Sequence, residues 1–242
     1  MNLLHDAFLW LSDASHWSGP DSIPLRAGQH LALTAVVLVA ASLIAVPASV
    51  LVGHTRRGQL VTVALAGAAR AIPTLGLLTL LGLIVGIGAR APILALVVLA
   101  VPSLLAGCAA GVRGVDPTTV DAARATGLTE LQLVRQVELP LAAPVIVGAL
   151  RAATLQVVAT ATLAAYVADL GLGRYLFTGL KSRDYGQMLG GAVIVATLAL
   201  VLELALAALH RASARRTQPV EPAQPARESR RHPRFPTTEG HR

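Results

Sequence analysis

The chain has 242 residues, of which 54% are hydrophobic and only 14% are charged. A soluble domain usually carries about 25% charged residues, so this composition argues against a water-soluble globule and predicts an integral membrane protein. The mean hydropathy of +0.63 agrees with that prediction. A single cysteine excludes a disulfide scaffold and a cysteine-based zinc site.

The N-terminal half of the chain contains two apolar stretches after a mixed beginning. Residues 1–28 lack the basic, apolar and small-residue pattern of a cleaved signal peptide, and we expect an extracytoplasmic segment there. The stretch 31–52 is long enough to cross a bilayer, which takes about 20 apolar residues. The stretch 60–87 is interrupted by Arg70 and Pro73, so we predict one helix with a kink at the proline.

Three further apolar stretches follow, at 92–112, 141–167 and 188–209. The sequence therefore predicts an all-α membrane domain over 29–210 with about five transmembrane helices. Residues 211–242 are rich in proline and arginine and poor in large apolar side chains, so we predict a disordered basic tail.

The distribution of Lys and Arg predicts the orientation. With five crossings, one side of the membrane receives 13 basic residues and the other receives five. Basic residues are retained on the cytosolic side. We therefore expect the N-terminus outside, and the segment between the third and fourth crossings and the C-terminal tail in the cytosol.

A polar segment, 116–140, separates the third and fourth crossings. Asp116 precedes a proline at a predicted first helical position, which favours a helix start. We predict one short helix that ends at Gly127 and a second that ends before Pro140. The apolar side chains of the segment are predicted to form an exposed knob for a protein partner; they are Val120, Ala123, Leu128, Leu131 and Val134.

The same segment carries a recognisable motif. Asp121-Ala122-Ala123 is followed after three residues by Gly127 and, nine residues later, by Val137-Glu138-Leu139-Pro140. This pattern resembles the EAA loop of ABC-importer permeases, which reads Glu-Ala-Ala, three residues, Gly, nine residues, an aliphatic residue, any residue and Leu-Pro. Asp121 replaces the glutamate and keeps its charge on a shorter arm. We refer to residues 116–140 as the coupling loop.

The resemblance implies the fold and the partners. It implies the core of a type I ABC importer in a bacterial cell membrane, with a second permease subunit, identical or a sister chain, and an extracytoplasmic binding protein. The coupling loop would dock on an ATPase carried by a separate chain, since this sequence has no GxxxxGK[ST] phosphate loop and we expect no enzymatic activity in it. The coupling residues implied by the motif are Asp121, Ala122, Ala123, Gly127, Leu131, Val137, Leu139 and Pro140.

Other residues resemble the subgroup that imports glycine betaine, choline, carnitine and related osmoprotectants. They are His30 with Leu33-Thr34, the run 70–75, and Gly171-Leu172-Gly173. A permease for methionine or another amino acid shares the motif and stays an alternative. A gradient-driven secondary transporter is a further alternative, although that class typically shows repeated halves and several intramembrane acids, and this chain has no clear internal repeat and only Glu203 as such an acid.

Charged residues within predicted crossings are candidates for a functional role. Arg70, Arg151 and Glu203 lie inside apolar stretches, where charges normally face a partner or a wet cavity. They could line the translocation path together with Pro73, or they could form interhelical ion pairs that fix the packing.

Two more features have alternative interpretations. Gly171 and Gly173 could form an outer gate or a simple turn. The aromatic residues cluster on the predicted outer side, where an interfacial belt is favoured over a cation cage; they are Phe8, Trp10, Trp17, Tyr166, Tyr175, Phe177 and Tyr185. The sequence predicts no metal site, no cofactor and no nucleic-acid partner.

Overall fold

A computed structural model describes residues 2–217, and the secondary structure of these residues is helical without strands. Ten α-helices follow one another, with a 3-10 helix after α1 (Ala14–Trp17), a π-helical turn before α8 (Val134–Glu138) and a 3-10 helix after α8 (Thr162–Tyr166). The α-helices are α1 (Leu3–Ser12), α2 (Ile23–Thr55), α3 (Gln59–Ala71), α4 (Thr74–Val85), α5 (Arg90–Arg113), α6 (Pro117–Ala125), α7 (Glu130–Leu133), α8 (Leu139–Ala161), α9 (Gly173–Ser182) and α10 (Tyr185–Thr217).

Four helical segments are long and apolar enough to cross a membrane: Ile23–Thr55, Arg90–Arg113, Glu130–Tyr166 and Tyr185–Ala208. Helices α3 and α4 meet this criterion only together, and they are bent by 84° at the break between them. The single kinked helix predicted over 60–87 is therefore wrong. The residue before a proline is driven out of the helical region, and Ile72 accordingly has ψ 123°.

Contacts at the helix ends indicate that α3 and α4 together make a fifth crossing. The Arg56 side chain, just after α2, donates to the Val115 carbonyl oxygen at 3.2 Å, so α2 and α5 end on the same side of the bundle. Helix α5 is about 36 Å long at 1.5 Å per residue, so it begins on the opposite side. Gly82 of α4 packs against Val167, which follows the end of α8. The bent pair thus carries the chain from one side to the other.

The centre of the bundle is formed by α2, α5 and α8. Its core is rich in alanine and aliphatic side chains, which allow helices to approach closely; the core includes Val37, Ala41, Leu96, Leu104, Cys108 and Val157. Many large apolar side chains point outward instead, such as Leu43 at 73% exposure and Leu83 at 81%. A soluble monomer rarely exposes so much apolar surface, whereas a lipid-facing protein does.

Helices α2 and α10 extend beyond the predicted boundaries of the membrane domain, residues 29–210. Helix α2 begins at Ile23, within the segment expected to precede the membrane domain. Helix α1 packs along α10, where Gly190 accommodates the Trp10 ring. Helix α10 continues to Thr217, and the rest of the predicted tail, 218–242, lies outside the described residues.

Candidate coupling site

The first helix of the coupling loop, α6, forms as the sequence predicts. The Asp116 carboxylate accepts hydrogen bonds from the Thr118 hydroxyl at 2.7 Å and from the Thr118 backbone N–H at 2.9 Å. These donors hold the pKa of Asp116 below its ordinary value, because they stabilise the ionised form. Pro117 occupies the start of the helix, where its missing N–H costs nothing.

Gly127 follows α6 with φ +90°, a left-handed conformation that glycine adopts without strain. The chain then turns into α7 through a capping box. Thr129 donates its backbone N–H to the Gln132 side chain at 2.9 Å, and the Gln132 N–H returns to the Thr129 hydroxyl at 3.4 Å. The spacing Thr-x-x-Gln is typical of a capping box and could have predicted this helix start from the sequence.

The second short helix does not end before Pro140, and that prediction is wrong. Helix α7 passes through the π-helical turn directly into α8, and Pro140 lies in the first turn of α8. A π-helical turn inserts a residue and shifts the backbone hydrogen-bond pattern. This change of pattern lies just before Pro140, which has no N–H to donate. The helix can therefore continue past the proline.

The apolar side chains of the loop mostly face the bundle. Val120 and Leu133 are buried with Val112, Val115 and Ala142, at the end where α5 finishes and α8 begins. Partly buried side chains complete this cluster; those in the loop are Ala123, Leu128, Val137 and Leu139. The predicted exposed knob is therefore wrong for Val120, which is buried, while Ala123, Leu128 and Val134 are only partly exposed. Among the motif residues, Leu131 stays largely exposed, at 60%, and Ala122 and Pro140 are exposed as well.

The outer side of the loop carries a short chain of charges. Arg124 donates to Asp121 at 2.8 Å within α6 and to both carboxylate oxygens of Glu130 at 2.9 and 3.1 Å. The hydrogen bonds that Arg124 donates to Glu130 raise the pKa of Arg124, so the guanidinium stays charged. Both carboxylates are exposed, and such surface pairs contribute little to stability on their own. Ala122 is also exposed beside them.

A second ionic contact connects the loop to α2, and no sequence motif predicts it. His54 lies in the last turn of α2, with Nδ1 at 2.8 Å from a Glu138 carboxylate oxygen and Nε2 at 3.2 Å from a Glu130 carboxylate oxygen. Glu138 is only 4% exposed. The partners His54 and Glu138 are 84 residues apart, so no local spacing could indicate their contact.

Two of the four candidate path residues form an ion pair, one is an exposed arginine, and one lies at the bend between α3 and α4. Arg151 of α8 and Glu203 of α10 form an ion pair, in which Arg151 Nε donates to Glu203 at 2.9 Å. Arg70 is exposed in the last turn of α3 and belongs to none of the ion pairs found within residues 2–217. Pro73 precedes α4 at the 84° bend.

Gly171 and Gly173 lie at the opposite end of the bundle and are both buried. Gly171 has φ +73° and packs against His30, while its N–H donates to Gln29 at 3.2 Å. A Cβ atom on Gly173 would come within 1.9 Å of the Thr162 carbonyl oxygen. This packing is typical of a tight turn rather than of an open passage.

The aromatic contacts among the described residues fall into two separate groups at that end. Trp10 stacks on His16 with centroids 4.4 Å apart and meets the Tyr175 ring edge-on at 5.1 Å. Tyr166 and Phe177 form another pair at 5.6 Å. These rings do not converge on one cage.

Comparison with known proteins relates this architecture to a family. Residues 30–219 match the family described as "Binding-protein-dependent transport system inner membrane component". The chain belongs to this family. It is 32% identical to the choline transport system permease protein OpuBB of Bacillus subtilis, over 76% of this chain and 84% of that protein. It is 33% identical to the carnitine transport permease protein OpuCB of Listeria monocytogenes, over 74% and 82%.

Solved structures give the same fold. The MetNI methionine ABC transporter in an inward-facing conformation matches with a TM-score of 0.68 and 27% identity, over 77% of this chain and 93% of that chain. An amino acid ABC transporter matches in fold with a TM-score of 0.61, at 22% identity, over 79% and 92%. This chain is therefore a multi-pass membrane transport component with the fold of type I ABC-importer permeases.

Proposed function

We propose that this chain is the membrane-spanning subunit of an ATP-driven importer for a quaternary-ammonium osmoprotectant, such as glycine betaine, choline, carnitine or proline betaine. The observation that carries the proposal is the 30–33% identity to permeases for choline, glycine betaine and carnitine over about three quarters of the chain. The structural likeness to a methionine transporter supports the importer class but not this choice of solute.

The coupling loop is the proposed contact with a separate ATPase. The exposed residues Asp121, Ala122 and Leu131 would meet that subunit, and the small alanine would permit close approach. Gly127 would provide the bend between the two helices. Val137 and Leu139 pack on the bundle, so a displacement of the loop would be passed to the helices that they contact.

The remaining partners follow from the exposed surfaces and from the family description. A second permease subunit and lipid would cover the large apolar faces, such as those at Leu43 and Leu83. An extracytoplasmic binding protein would deliver the solute to the end of the bundle opposite the coupling loop. The ATPase cycle would then switch access by a rigid-body rotation of the subunits. The count of Lys and Arg residues supports a cytosolic coupling loop.

A permease for methionine or another amino acid is the second candidate, because the MetNI methionine ABC transporter shares both the fold and 27% identity with this chain. Membership of a binding-protein-dependent family argues against the gradient-driven alternative.

Uptake by the reconstituted assembly tests the proposal. The chain is combined in liposomes with the ATPase and the binding protein encoded beside it, and ATP-dependent entry of labelled glycine betaine, choline, carnitine and methionine is measured. We expect entry of at least one of the quaternary-ammonium solutes and no entry when the ATPase lacks its phosphate-loop lysine. Entry of methionine alone would support the second candidate, and entry without ATP would contradict both.

A further inference from the structure

We propose that His54 is a positioning residue that fastens the coupling loop to the end of α2, so that a displacement of the loop moves α2 as well as α8. The inference rests on the proposed function, because it assigns a route for motion that begins at an ATPase. His54 lies outside the motif that suggested the coupling loop.

The geometry places the imidazole of His54 between two carboxylates on consecutive parts of the loop. Nδ1 is 2.8 Å from Glu138 in the π-helical turn, and Nε2 is 3.2 Å from Glu130 at the start of α7. A neutral imidazole has one N–H and would turn a lone pair toward one of the carboxylates. Each ring nitrogen thus lies within hydrogen-bond distance of one carboxylate, and the imidazole joins the two parts of the loop.

Burial distinguishes this contact from the other ion pairs of the loop. The Glu138 side chain is 5% exposed and that of His54 is 18% exposed, whereas Asp121 is 74% exposed. An exposed pair is weakened by solvent and contributes little. A carboxylate that has left water loses much more when its partner is removed, because the charge is then buried alone.

The contact also lies where the loop joins the membrane helices. Val134–Glu138 is π-helical, a single turn that departs from the regular α-helical hydrogen-bond pattern. Without His54, the loop would be continuous with α8 but would meet α2 mainly through the apolar contact of Val50 with the cluster around Val120 and Leu133, which is not directional. With His54 in place, Glu130 and Glu138 are both held to the last turn of α2, next to the Arg56 contact with Val115. The loop and the ends of α2 and α8 then form one body.

A double-mutant cycle in the reconstituted transporter tests this role. The variants are His54→Ala, Glu138→Ala and the pair combined, with Arg57→Ala as the matched control. Arg57 neighbours His54 in sequence, is exposed, and belongs to none of the ion pairs found within residues 2–217. Three quantities are measured: co-purification of the ATPase, its rate of ATP hydrolysis, and solute uptake per ATP hydrolysed.

We expect each single variant to retain the ATPase and to lower uptake per ATP by about fivefold or more, the lower end of typical coupling between sites. The double variant should lose no more than His54→Ala alone, because Glu138 acts through His54. Arg57→Ala should match the wild type. Glu138→Gln, which keeps the shape and one acceptor oxygen, should fall between the wild type and Glu138→Ala, and it decides the case if an alanine variant fails to assemble.

Uptake per ATP unchanged in His54→Ala and Glu138→Gln, or losses that add in the double variant, would overturn the inference. The proposed function fails by a different result, namely a wild-type chain that neither retains the ATPase nor transports solute.

Discussion

Gly127 is the residue on which the shape of the coupling loop depends most directly. Its φ of +90° suits glycine, and no heavy atom lies within 4 Å of the position that a Cβ would occupy. A substitution there is therefore opposed by the backbone and not by a neighbouring side chain. A substitution of Gly127 therefore tests the backbone bend of the loop without a steric clash.

We predict that Gly127→Val leaves the chain in the membrane but uncouples transport from ATP hydrolysis. A left-handed conformation costs an ordinary residue about 1–2 kcal/mol, and more for a β-branched one, so the bend should relax. Membrane fractionation and uptake per ATP hydrolysed check this prediction. Gly127→Asn is the control, since asparagine tolerates this region better and should retain more coupling. Normal uptake by the valine variant would count against the role of the loop.

The ion pair between Arg151 and Glu203 permits a test of the two interpretations left open for membrane charges. Glu203→Leu alone leaves Arg151 without its partner, and we expect a fall of several degrees in the thermal midpoint in detergent. Replacing both residues by leucine removes both charges, and we expect most of the stability to return. Uptake by the double variant then separates the interpretations. Retained uptake indicates a structural pair, and lost uptake in a stable protein indicates that the charges line the path.

At the scale of the elements, the sequence predicted what depends on local chemistry and composition. Apolar length identified the crossings, and Asp116 with Pro117 identified the start of α6. Two predictions failed, each at a proline whose effect on the helix depends on the surrounding structure. Pro73 separates two helices at 84°, whereas Pro140 lies inside a continuous helix. The difference is the π-helical turn ahead of Pro140, which accommodates the missing proline N–H.

The candidate site shows the same division between local and distant information. The motif residues of the coupling loop could be predicted, because their spacing is local. The burial of the loop's other apolar side chains could not, since Val120 and Leu133 pack against Val112 of α5 and Ala142 of α8. The contact of His54 with Glu138 joins residues 84 positions apart. Only the folded bundle brings them together, so sequence spacing carried no sign of it.

The turn that includes Gly173 is a rigid element at the far end of the bundle. A Cβ at this position would approach the Thr162 backbone to 1.9 Å, so the chain must shift to admit one. We predict that Gly173→Ala lowers the free energy of unfolding by about 1–3 kcal/mol, as overpacking does. Gly28→Ala is the matched control, since nothing lies within 4 Å there, and it should not destabilise the protein. Equal stabilities in a denaturation series would contradict the packing of this turn.

For the whole molecule, the orientation in the membrane is the next property to test. Arg57 and Lys181 are exposed near opposite ends of the bundle, and the native Cys108 is fully buried. We predict that a membrane-impermeant thiol reagent on intact cells labels Lys181→Cys and not Arg57→Cys. The wild type is the control for Cys108. Labelling of Arg57→Cys alone would invert the orientation and remove the coupling loop from the cytosol.

The central proposal is that the coupling loop binds a separate ATPase subunit. Photocrosslinking from Leu131 tests this most directly, because Leu131 is 60% exposed on the loop while Leu83 is 81% exposed on α4 in the membrane domain. A photoreactive residue is placed at each position in membranes that contain the whole transporter. We predict that the photoreactive residue at position 131 crosslinks to the ATPase and that the one at position 83 does not. Failure of position 131 to capture it in membranes that transport solute would contradict the account.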